Sequence, residues 1–101
     1  MENSFDRHHK LKTVNPYFTA VWERKKPFEV RKNDRDFRSG DTAILQEYDP
    51  ATDTYSGRWI FGIIPYVLSD AAYCKDGYVV FTFEEKTRSV SSWRFDKSDM
   101  G

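Results

Sequence analysis

The chain has a single cysteine, Cys74, among its 101 residues, which excludes an intramolecular disulfide framework and any zinc site built on several cysteines. A reducing compartment fits that usage. Long apolar runs are missing too. The amino terminus MENSFDRHHKLK has no hydrophobic leader segment, and no stretch approaches the roughly 20 apolar residues that span a bilayer. A cytoplasmic protein with no membrane partner is expected. No segment repeats and none is of low complexity. Finally, the formal net charge is +0, which taken alone argues against a nucleic-acid partner.

What is present is aromatic and charged. Hydrophobic residues at 39% and aromatics at 17% are the composition of a packed interior, since disordered chains are poor in these side chains. A chain of this length matches one domain that buries roughly two-thirds of its unfolded surface. The charge is segregated along the sequence. Residues 7–38 carry ten Lys or Arg against four acids, a net +6, and residues 39–85 carry two against eight, a net −6. If the first third forms one surface, its field can attract a polyanion, because screening confines each charge to roughly 10 Å at ordinary salt. If the strands interleave, the effect cancels.

The order of elements follows from local signals. Residues 1–7 read as a loose lead-in, and a first strand begins near His9 and ends at Thr13. Asn15-Pro16 reads as a cap followed by proline at the first helical position, and Tyr17, Phe18, Val21 and Trp22 recur at helical spacing, predicting a helix over 16–24. Pro27 disfavours helix at Lys26 and releases the chain into a strand at 28–32. Gly40 closes the polar loop NDRDFRSGD. A third strand covers 42–48, and the turn formers of residues 49–54 predict a hairpin into a long strand from 55 to about 68, bent or at an edge where Pro65 falls. Asp76-Gly77 marks a turn before a core strand at 78–84. Residues 86–101 read as a tail in which Val90, Trp93 and Phe95 could dock. The domain proper is therefore 8–85: an α+β, mainly β architecture, read as a small barrel of about five strands with one or two short helices.

The segment RKKPFEVRKNDRD, residues 24–36, is the most informative. Carboxylates and an asparagine stand among many cations around one short strand, the chemistry of a binding cleft. Period-two geometry sets Phe28 and Val30 on one face, expected buried, and Glu29 with Arg31 on the other, expected charged and open.

Lys26-x-x-Glu29-x-Arg31 resembles the G-x-K-x-x-E-x-R signature of the ASCH domain, a PUA-like superfamily. His9-Lys10-Leu11-Lys12, Tyr17-Phe18, the run from Phe28 to Phe37, Gly40-Asp41, Glu47-Tyr48-Asp49-Pro50 and Asp76-Gly77-Tyr78-Val79-Val80 are similar to a small bacterial and phage subgroup of unknown function. The resemblance covers roughly residues 8–84. Arg24 replaces the signature glycine. The resemblance implies a PUA-like β-barrel with a cleft between barrel and helix that binds RNA or a modified nucleotide. The ligand-binding residues expected are Lys26, Glu29, Arg31, Asn33, Arg35, Lys12 and His9.

Lys26 offers a mobile point charge and Arg31 a planar fork. Against this, Lys26, Glu29 and Arg31 could form a salt bridge pinning the helix to the strand, and Asn33 to Asp36 could cap their own loop. His8 and His9 are adjacent and face opposite ways in a strand, so no metal site is expected, and no cofactor. No residue is assigned a catalytic role. Some ASCH proteins deacylate N4-acetylcytidine with the signature lysine, a threonine three residues later and a distant glutamate, so a small amidohydrolase is an alternative, though Glu29 holds the threonine's position here. A protein-interaction module using Trp93 and Phe95 is a third. The tyrosines at 48, 55, 66, 73 and 78 and Trp59 are expected mostly in the core.

Overall fold

Alternation along HHKLKT buries His9, Leu11 and Thr13 and exposes Lys10 and Lys12, so this segment forms the first strand, β1 (His8–Thr13), of the computed structural model, which describes residues 7–89. The helix α1 (Tyr17–Trp22) follows, shorter than the sequence predicts. Pro16, expected at the first helical position, takes the N-cap place instead, and Asn15 one residue earlier accepts through Oδ1 from Thr19 N (2.9 Å) and Thr19 Oγ1 (2.6 Å). At the other end Lys25 N bonds Ala20 O (2.9 Å) and Arg24 N bonds Val21 O (2.9 Å), a Schellman closure with Arg24 at φ 62. Glycine is the usual residue at that position, because a side chain there crowds the following carbonyl.

The remaining strands are β2 (Phe28–Lys32), β3 (Thr42–Asp49), β4 (Thr54–Ile63), β5 (Val67–Leu68), β6 (Tyr78–Thr82) and β7 (Glu84–Arg88). They form two sheets, ordered β1-β3-β4-β7 and β2-β6-β5. β1 runs parallel to β3, and the other ladders are antiparallel. The turn at residues 49–54 makes the expected β3–β4 hairpin. The long strand expected from 55 to 68 is divided at Ile64-Pro65-Tyr66, and its second part, β5, joins the other sheet.

Three expectations are corrected. The ladders do not close into a five-stranded barrel; seven strands divide between two sheets, and side chains bridge the seam between β1 and β2. Arg31 Nη1 donates to Lys12 O and Arg35 Nη1 to Lys10 O, each at 3.0 Å. Residues 86–88, read as tail, belong to β7, which pairs with β4. Its sequence EEKTR hides this, since an edge strand needs no apolar face of its own. Gly62 lies where the β4–β7 register shifts, and a Cβ there would stand 2.3 Å from Glu84 O. Val90, Trp93 and Phe95 lie outside the described residues.

The third correction concerns the core. Leu11, Phe18, Val21, Phe37, Ala43, Leu45, Ile60, Ile64, Val79, Phe81 and Phe83 form it, with Trp22 and Val67 packed alongside. Fully burying each large member contributes about 1.5–3 kcal/mol. Phenylalanine rather than tyrosine is the aromatic filler: Tyr55, Tyr66 and Tyr73 are exposed, and Tyr48, Trp59 and Tyr78 are half-buried. A tyrosine hydroxyl needs a polar partner when buried, and a phenylalanine does not. Two guanidinium groups lie over Trp22, Arg58 at 4.7 Å and Arg88 at 4.1 Å from its ring centre. Arg88 Nη2 also donates to Trp22 O (2.9 Å), satisfying a carbonyl that the helix end leaves open. Cys74 is half-buried, with Sγ 3.3 Å from Leu68 O.

Candidate functional site

β2 carries the site, with its faces the reverse of the expected ones. Glu29 is buried at 2% exposure, whereas Phe28 and Val30 are 41% and 54% exposed. Alternation groups residues by face without saying which face turns inward. Here the deciding term is ionic: a buried carboxylate is tolerated when charged donors surround it, and Glu29 has them. Lys26 Nζ donates to Oε2 at 2.6 Å, and Arg31 Nε and Nη2 donate to Oε1 at 3.0 and 2.8 Å.

The two cations are themselves positioned. Pro27 follows the end of α1 and turns the chain so that Lys26 reaches back to Phe28 O (2.7 Å) as well as to Glu29. Arg31 spans the seam, donating to Thr13 Oγ1 (2.9 Å) and Lys12 O. Thr13 in turn donates to Leu11 O (3.1 Å). The trio carries one net positive charge. It opens on a cleft of about 630 Å³ whose lining is completed by Thr13, Val14, Tyr17, Phe28 and Val30. Lys26 Nζ lies 5.2 Å from the centre of the Phe28 ring and 6.0 Å from that of Tyr17. Sequence reasoning did not single out Tyr17, Phe28 or Thr13 for the site; the signal available was the position of Tyr17 at the start of the helix, of Phe28 beside the signature glutamate and of Thr13 at the end of a strand.

The other expected site residues divide. Lys12 and Arg35 line a second cavity of about 420 Å³ that shares Arg31 with the cleft. Asn33 accepts from Phe37 N at 3.3 Å, the loop-capping role, and lines neither cavity. His9 is 4% exposed, packs 4.6 Å from the ring centre of Phe37, which lines the second cavity, and hydrogen-bonds Asp41 Oδ2 at 2.8 Å, itself lining neither. His8 bonds Thr42 Oγ1 instead (2.8 Å), so the adjacent histidines have separate partners. Among the described residues no group of three His, Cys, Asp or Glu is arranged to hold a metal ion, and no helix is long and apolar enough to cross a membrane.

A second carboxylate centre was not anticipated. Glu47 Oε1 accepts from Ser56 Oγ (2.6 Å) and Arg58 Nε (2.9 Å), and Oε2 from Asn15 Nδ2 (2.6 Å) and Arg58 Nη2 (3.0 Å). The Arg58 hydrogen bonds, helped by those of Ser56 and Asn15 and opposed by burial, hold its carboxyl at about 2. It borders a hollow of about 650 Å³ with Val14, Asn15 and Tyr48. Its partners come from the segment before α1 and from β4, which no local pattern connects.

The chain is similar to known proteins. Over 40 residues, 40% of the chain, it is 48% identical to the uncharacterized 12.9 kDa protein in the GpA 3′ region of Escherichia phage P2, and the match spans 37% of that phage protein. The family profile for a domain of unknown function, DUF3850, matches residues 8–83, a span that takes in β1 through β6 and both carboxylate centres, and the chain therefore belongs to the DUF3850 family.

Proposed function

We propose that this DUF3850 domain is an ASCH-like binding module for RNA or a modified nucleotide, with the base seated in the cleft beside Lys26, Glu29 and Arg31. One observation carries the proposal: a buried carboxylate, gripped by two cations, lines an open cleft with aromatic walls. Arg31 spends both of its donors to Glu29 on Oε1, so among the described residues Oε2 accepts from Lys26 alone. A carboxylate accepts about four hydrogen bonds. Oε2 thus retains capacity for the amino edge of a base, and the third Lys26 proton is available to a carbonyl or phosphate oxygen. Tyr17, 55% exposed, and Phe28 provide faces on which a base can stack.

Two further features support the ASCH resemblance. The three signature side chains converge on one cleft, and Arg24 adopts the left-handed conformation that suits the glycine found at that place in the signature. In this proposal the two sheets are the halves of a PUA-like barrel opened along the β1/β2 seam. The amidohydrolase alternative gains no support: the Thr13 hydroxyl in the cleft donates to Leu11 O and accepts from Arg31.

The test is titration of wild type and Glu29→Gln with single-stranded RNA and a panel of nucleoside 5′-monophosphates at low salt. Turning half of an acceptor-only group into a donor is expected to weaken binding by about 1.5–3 kcal/mol, the scale of a charged hydrogen bond. Absence of binding to every probe at low salt, where phosphate contacts are strongest, overturns the proposal.

A further inference from the structure

Among the described residues ten of the fourteen Lys and Arg side chains have a carboxylate partner. Arg24, Lys25, Lys26, Arg31, Arg35, Arg58, Lys86 and Arg88 are all paired, as are Arg7 and Arg38. The exceptions are Lys10, Lys12, Lys32 and Lys75. Lys75 lies over the Tyr78 ring and Lys12 over the Tyr48 ring, the latter at 4.6 Å from the ring centre, so neither has a carboxylate but each has an aromatic face. Lys10, Lys12 and Lys32 line one cavity, the groove of about 420 Å³ at the β1/β2 seam, together with Arg31, Arg35 and Tyr55.

A solvated lysine is ordinary, but three without counter-ions lining one concave surface concentrate positive charge there, which folding alone does not require. Lys10 and Lys12 share the outer face of β1, about 6.7 Å apart by strand rise, a spacing comparable to that of successive phosphates on an extended strand. Lys32 faces them from β2. Asp34 is the one carboxylate on the groove, and it lies 3.7 Å from Arg35. Tyr55 is 50% exposed and gives the groove an aromatic face.

Arg31 lines both groove and cleft. We infer that the groove is a sugar-phosphate subsite, so that the ligand is a single-stranded oligonucleotide with one base in the cleft and neighbouring phosphates on Lys10, Lys12 and Lys32. This inference rests on the cleft proposed above and narrows it from nucleotide to strand. The flanking aromatics favour a nucleic acid over an acidic peptide, whose carboxylates would find the lysines but leave Tyr55 unused.

The experiment compares a short mixed-sequence single-stranded RNA with nucleoside 5′-monophosphates, across a series of KCl concentrations, on wild type, Lys10→Gln/Lys32→Gln and Lys10→Arg/Lys32→Arg. Three phosphate contacts on a single strand predict a log–log salt slope of about −2 for RNA, falling to about −0.7 in the glutamine variant. RNA affinity at low salt should drop about tenfold or more in that variant, and the arginine variant should retain the wild-type slope. Unchanged RNA affinity and slope in the glutamine variant overturn the groove while leaving the cleft standing. Loss of RNA binding through the lysines, with Glu29→Gln and Phe28→Ala indistinguishable from wild type, sinks the cleft and keeps the groove. Equal binding of polyglutamate, or no RNA binding by wild type, overturns the inference.

Discussion

Glu29 and Glu47 are both withdrawn from solvent and both held by an arginine, yet the arginines grip them differently. Arg58 meets Glu47 as a fork, one nitrogen to each oxygen, and Asn15 and Ser56 take the remaining positions. Arg31 places two nitrogens on a single oxygen of Glu29 and leaves the other to a lysine. The first carboxylate is saturated by groups from two other segments and works as a fastener between the helix entry, its own strand β3 and β4. The second is oriented without being saturated, which is the condition of a group that can still bind something. Saturation, more than burial or charge, separates the two.

Removing the fork should have the largest effect. In Arg58→Ala, Glu47 stays enclosed without its main partner and Trp22 loses one of the two cations over its ring, so unfolding free energy should fall by about 3 kcal/mol in a denaturant titration. A loss no greater than that of Arg31→Ala would erase the distinction between the centres. Acid should act on the same centre. The Glu47 carboxyl is lowered from 4.5 to about 2 in the folded chain, so its contribution is complete above pH 4.5 and disappears as pH falls toward 2. Glu47→Gln should lose about 2 kcal/mol at neutral pH and show a flatter decline of melting temperature across that window. An acid limb as steep as that of wild type would assign the acid sensitivity elsewhere.

Glu29→Gln should cost less, about 1–2 kcal/mol, because Lys26 and Arg31 retain other acceptors in Phe28 O, Lys12 O and Thr13 Oγ1. A larger loss than in Glu47→Gln, measured by thermal unfolding without ligand, would make Glu29 the fastener. The smallest effect is a gain. Arg24→Gly relieves a left-handed residue at the end of α1 at the expense of an exposed ion pair to Glu85, and should stabilise the chain by about 0.5–1 kcal/mol without altering either centre. Destabilisation in that variant would show that the Glu85 contact outweighs the backbone strain.

The contrast between the centres also explains what could be read in advance. Lys26, Glu29 and Arg31 lie within six residues and make a local pattern, so the cleft was legible, whereas Glu47 depends on Asn15, Ser56 and Arg58, which only the fold brings near. Strand positions followed from alternation and turn residues, but alternation assigned Phe28 and Val30 to the wrong side, because the ionic compensation that buries Glu29 is not a property of one strand. β7 escaped notice because EEKTR has no apolar face and owes its conformation to β4. The division into two sheets depends on which edges meet, and no residue announces that.

The seam has a consequence for the solution behaviour of the protein. β1 is the last strand of its sheet, and an unpaired strand edge is a template on which a strand from another molecule can add. Two of the carbonyl acceptors such an intruder would need, those of Lys10 and Lys12, already hold Arg35 and Arg31. Strand addition there would have to break two charge-assisted contacts and press a second backbone against unpaired lysines. The guanidinium groups that span the gap between the sheets thereby also guard the β1 edge against strand addition.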